Sequence, residues 1–152
     1  MNVCHICGIP WDADFFDESR ILPAPDKGQE ITLARYALHR NYCGVLMSFA
    51  QFTRPYASDP TNVETPGYQW QLRCNGRPRD PYLTFDRIIN PWGSMPFPLN
   101  LRLEEGCVVE FVLRNVNVPA DDPLYRNLEK VGGRIVGRYW YNNAFGGAPN
   151  RL

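Results

Sequence analysis

The stretch YQWQLRCNG, residues 68–76, alternates at every position. Tyr68, Trp70, Leu72 and Cys74 leave the chain on one side, and Gln69, Gln71 and Arg73 leave it on the other. Successive side chains of an extended chain point to opposite faces, so a period of two predicts a strand with one buried and one wet face. Asn75-Gly76 then supplies the residue pair that tolerates positive φ in a two-residue hairpin turn. A chain made of such segments must bury its apolar faces sheet against sheet.

The same text recurs along the chain. EITLARYAL, from Glu30, is rich in β-formers. YCGVLMSFAQF, from Tyr42, is nearly continuously apolar, as expected of a strand covered on both faces. LNLRLEEG places Leu99, Leu101 and Leu103 on one side, and CVVEFVLRNV does the same with Val109, Phe111 and Leu113. The LEEG between them reads as a tight hairpin joining two paired strands. YLTFDRII and GRIVGRYWYNN are further strands, and Pro123 to Lys130 is the one place where a short helix fits. Seven or eight strands separated by turn signals, with no long amphipathic helix, predict an antiparallel β-sandwich of jelly-roll type. Its expected core is Trp70, Leu72, Leu99, Leu101, Leu103, Val109, Phe111 and Leu113.

The sandwich is expected over residues 29–142. Residues 1–28 are broken by Pro10, Pro23 and Pro25 and read as an extended arm; residues 143–152 read as a short tail. These extensions carry Trp11, Phe15, Phe16, Ile21, Leu22 and Phe145. Those side chains favour burial, and two filled sheets leave them little inner surface. The arm is therefore expected to pack on a neighbouring subunit or another protein.

From Glu30 the order of segments resembles the small jelly-roll proteins in virions of tailed bacteriophages. The matching stretches are ITL, HRNYCG, VLMSFAQF, WQLRCNG, NPWGSMPFP, LRLEEG, CVVEFVLRN and GRIVGRYWY, over residues 30–142. The resemblance implies a structural role as a capsid decoration, spike-base or neck and tail connector protein. It implies symmetric oligomers, contacts with other virion proteins, residence in the virion after synthesis in the host cytoplasm, and no catalytic residues.

The chain has five cysteines. Cys4 and Cys7 in CHIC are a half-site for zinc, and HRNYC offers His39 and Cys43 as the other half of a Cys3His set that would pin the arm to the sandwich. The rival reading is disulfide bonding by Cys4 and Cys7, within the chain or to a neighbour. In a third reading the thiols stay reduced, and Cys74 and Cys107 suit it, each sharing a face with core residues.

Zero formal net charge argues against nucleic-acid and membrane-surface binding. No apolar run reaches the ~18 residues of a membrane span, and the opening residues lack the pattern of a secretory signal. Two histidines, no nucleophile elbow and no phosphate loop predict a protein that is not an enzyme. The alternative function is a carbohydrate-binding jelly-roll module using Trp92, Tyr139, Trp140 and Tyr141 as an aromatic platform.

Overall fold

A computed structural model describes residues 8–55, 68–79, 96–115 and 128–142. The strands are β1 (Asp14–Pro23), β2 (Glu30–Ala37), β3 (Tyr42–Pro55), β4 (Tyr68–Cys74), β5 (Arg77–Pro78), β6 (Phe97–Leu103), β7 (Val108–Asn115) and β8 (Leu128–Tyr141). They form two four-stranded antiparallel sheets packed as a sandwich, ordered β1-β8-β3-β6 and β2-β7-β4-β5. The predicted strand at YLTFDRII and the tail at 143–152 lie outside the described residues.

The alternation read at residues 68–74 holds: Tyr68, Trp70, Leu72 and Cys74 are buried, and the residues between them are half-buried. Asn75 and Gly76 adopt positive φ of 52° and 75°, the conformation of the tight turn into β5. Trp70, Leu72, Leu103, Val109, Phe111 and Leu113 are buried in the core as predicted. Leu99 and Leu101 only flank it, on β6, which among the described residues is the last strand of its sheet. On β3, Cys43, Val45 and Ala50 alternate with the inward Leu46 and Phe49, and all are buried. An irregularity between Leu46 and Ser48 turns Met47 outward.

Three expectations are corrected. β6 and β7 are not a hairpin: β6 pairs with β3, and β7 pairs with β2 and β4. The loop at Glu104–Cys107 carries the chain between sheets, so the two apolar faces meet one core from opposite sides. The helix ending at Lys130 is replaced at residues 128–130 by the start of β8, which is 14 residues long. The arm is not a separate extension: residues 14–23 are β1, in register with β8 from Asp14↔Tyr139 to Pro23↔Lys130.

The glycines of VGGRIVG explain how β1 docks. A Cβ at Gly137 would overlap the Phe16 ring, and a Cβ at Gly133 would sit 2.7 Å from Phe111 and 2.8 Å from Leu33. β8 thus opens two gaps on its inner face, and aromatic rings from both sheets fill them. Phe16 is 4% exposed.

Candidate functional site

Among the described residues strand β1 ends its sheet, with β8 as its hydrogen-bonded neighbour. Its side chains alternate between a core face and an outer face. Phe16 and Leu22 face inward; Phe16 is buried and Leu22 packs partly against the core. This corrects their expected place at an interface, and the reason is the pleat: docking β1 on β8 turns every second side chain into the sandwich. Phe15 and Ile21 occupy the opposite face and are 67% and 61% exposed. Trp11, just before the strand, is 70% exposed. The Arg138 guanidinium lies 4.7 Å from the Phe15 ring centre and also donates to the Ala13 carbonyl at 2.8 Å. It holds the start of β1 against β8 and covers one side of the ring. Asp17 accepts two bonds from Arg134 on the same face. The hydrogen bonds from Arg134 hold the Asp17 carboxyl below its ordinary range. Phe145 lies outside the described residues.

An aromatic cluster fills one end of the sandwich. Phe16 stacks on Tyr36 at 4.3 Å, Tyr139 lies 5.8 Å from Tyr36 and 5.9 Å from Tyr42, and Tyr141 meets Tyr42 edge-on at 5.6 Å. Burial, with the adjacent Tyr139 hydroxyl and the Glu18 and Asp14 carboxylates, pushes the Tyr36 hydroxyl up to about 12. Alternation along β8 puts Tyr139 on this inner face and Trp140 opposite Cys43 on the other. The residues proposed as a sugar platform are therefore divided between two faces. Trp92 lies outside the described residues.

The outer face of the second sheet carries a shallow polar depression of about 420 Å³, lined chiefly by Glu30, Gln69, Gln71, Arg73 and Arg114. Glu30 on β2, Arg73 on β4 and Arg114 on β7 come together because β7 lies between β2 and β4 and matches Glu30 and Gln69 to Arg114. Glu30 takes a two-pronged contact from Arg73 and a bond of 3.0 Å from Arg114. Arg73 Nε donates to Gln71 at 2.7 Å. Glu30, Gln71, Arg73 and Arg114 thus bond to one another within the depression. Sequence reading missed this set, since its members are separated by 43 and 84 positions.

The hydrogen bonds from Arg73 hold the Glu30 carboxyl below its ordinary value of 4.5. Its folded value is the lower one, so the ion pair stabilises the fold fully above pH 4.5 and loses that contribution as pH falls through the folded value. Glu30→Gln is expected to cost about 1 kcal/mol near neutral pH. It should also flatten the loss of stability on acidification below pH 4.5. Urea titrations of both proteins across that range check this; parallel pH profiles would refute it.

Cys74 and Cys107 are buried reduced thiols joined by a hydrogen bond. The bond to Cys74, and then burial, push the Cys107 thiol up. Cys43 is buried on β3 rather than in a loop, and burial pushes its thiol up. His39 sits exposed at the β2–β3 turn, its ring 6.5 Å from Tyr42. Cys4 and Cys7 lie outside the described residues. Among the described residues no three metal-ligating side chains cluster.

The described residues form an all-β sandwich with an ion-paired polar depression on one sheet and an exposed apolar edge on the other. No protein-family profile matches the chain, and comparison with curated proteins finds no similar sequence.

Proposed function

We propose that this chain is a structural protein of a tailed-bacteriophage virion, acting as a capsid decoration, spike-base or neck and tail connector subunit through protein contacts and not through catalysis. The sandwich is read as one of jelly-roll type, and its pairing order supports that reading. β1 pairs with β8, β2 with β7, β3 with β6 and β4 with β5. Each pair joins strands equally far, in strand order, from the Asn75-Gly76 turn, as in a double ribbon folded at that turn and wound into two sheets. Jelly rolls serve as capsid and as lectin domains.

The observation that carries the functional reading is the β1 edge. Phe15 and Ile21 stand exposed on one face of an edge strand, with Trp11 exposed beside it. Exposed apolar side chains grouped at an open sheet edge favour contact with another protein chain. The carbohydrate alternative draws less support: Glu30, Gln71, Arg73 and Arg114 in the depression bond one another, and Tyr139 and Trp140 face opposite ways.

Washed virions of the source phage should contain the chain at a copy number set by capsid or tail symmetry. A Phe15→Asp/Ile21→Asp variant that keeps the wild-type circular dichroism should stay in the soluble fraction. Virions without the chain, or normal incorporation of the variant, overturn the reading.

A further inference from the structure

The open edge of β1 has a charge order that selects one partner and one register. The backbone of Ala24 faces β8, donating to the Glu129 carbonyl at 3.1 Å. Backbone groups alternate sides along a strand, so Phe16, Glu18, Arg20 and Leu22 also bond toward β8. Phe15, Asp17, Ser19 and Ile21 turn their N–H and C=O groups to the open edge. A strand with free backbone groups on one side is a template for another strand.

We infer that β1 pairs antiparallel with β1 of a second copy of this chain, about a two-fold axis at Ser19, joining two sheets into one. This inference rests on the reading of the β1 edge as a contact surface. Four two-fold registers place most of β1 against itself, centred on residues 17, 18, 19 and 20. The register centred on Asp17 sets Asp17 against Asp17. The one centred on Glu18 sets Glu18 against Glu18, and the one centred on Arg20 sets Arg20 against Arg20. Like charges directly opposite are destabilising.

Only the Ser19 register avoids all three clashes, and it sets Glu18 against Arg20 of the second copy twice over. Both residues are exposed, so the ion pairs form without burying an unmatched charge. On the outer face Phe15 lies diagonal to Ile21 of the second copy at each end, covering the two most exposed apolar side chains of the strand. Pro23, which lacks an N–H, ends the ladder opposite Phe15.

Sedimentation velocity on the full chain tests this with three variants. The wild type should sediment as a dimer. Ser19→Pro removes an outward N–H and leaves the bonds to β8 in place, so it should yield a monomer with the wild-type circular dichroism. Glu18→Arg and Arg20→Glu should each weaken the dimer about tenfold or more, and the double variant should restore it.

A wild-type monomer that still enters virions overturns the dimer and leaves the virion reading standing. A dimer sensitive to Ser19→Pro in a chain absent from virions does the reverse. A dimer unaffected by Ser19→Pro, or charge variants that dissociate without rescue by the double exchange, overturns this pairing.

Discussion

A chain lacking residues 1–28 is expected to lose its cooperative unfolding transition. The deletion removes β1, whose ten residues are all paired with β8. It empties the Phe16 site between Gly137 and Tyr36, where the two rings stack 4° from parallel. Truncating a buried Phe costs ~3–5 kcal/mol by itself. Whole domains are stable by only ~5–15 kcal/mol. The deletion also strips the backbone partners from one side of β8, leaving that central strand open to non-specific pairing. Thermal melts followed by circular dichroism, with light scattering for aggregation, measure the effect. A truncated chain that melts cooperatively at the wild-type midpoint would show that β1 adds nothing to the core.

The second large effect is expected at Phe111. Its side chain is fully buried between the sheets, with ring centres 5.2 Å from Phe49 and 5.7 Å from Trp70. Its ring reaches the space left by Gly133 on the opposite sheet, so it ties β7 to β8 across the core. Phe111→Ala should destabilise the fold by ~3–5 kcal/mol, since the surrounding strands are paired on both sides and cannot close on the cavity. Phe111→Leu, which keeps most of the volume, should cost roughly 1–1.5 kcal/mol. Urea denaturation should show the midpoint falling in that order with little change of slope. Equal midpoints for the alanine and leucine variants would mean that the ring does not fill the space between the sheets.

These two residues also mark what could be read without coordinates. Phe111 belongs to the alternating run of β7, and its inward direction follows from Val109 and Leu113 on either side. Phe16 follows from no such run. DFFDESRILP has polar residues at both parities, because an edge strand has solvent on its open side and needs little apolar text. The same strand explains why the proposed contact surface was half legible. Phe15 and Ile21 stand exposed, whereas Phe16 and Leu22, equally apolar in the sequence, turned inward once β1 had a neighbour.

Glycine text was ambiguous in the same way. VGGRIVG could mark a loop before a strand. Its role as a seat for Phe16, Phe111 and Leu33 exists only when side chains from β1, β2 and β7 arrive opposite it.

By itself the sequence determined that strands lie within 30–37, 42–55, 68–74, 97–103 and 108–115, the inward faces of those at 68–74 and 108–115, and the turn at Asn75-Gly76, because each depends on neighbours one or two positions away. Only the tertiary structure decided which strands share a sheet. It parted β6 from β7, brought β1 to β8 and gathered Glu30, Arg73 and Arg114 into one ion-pair network. Pairing is set by backbone hydrogen bonds between distant segments and by side-chain volumes across the core. A period of two records which face a residue takes and carries no information about which strand will lie beside it.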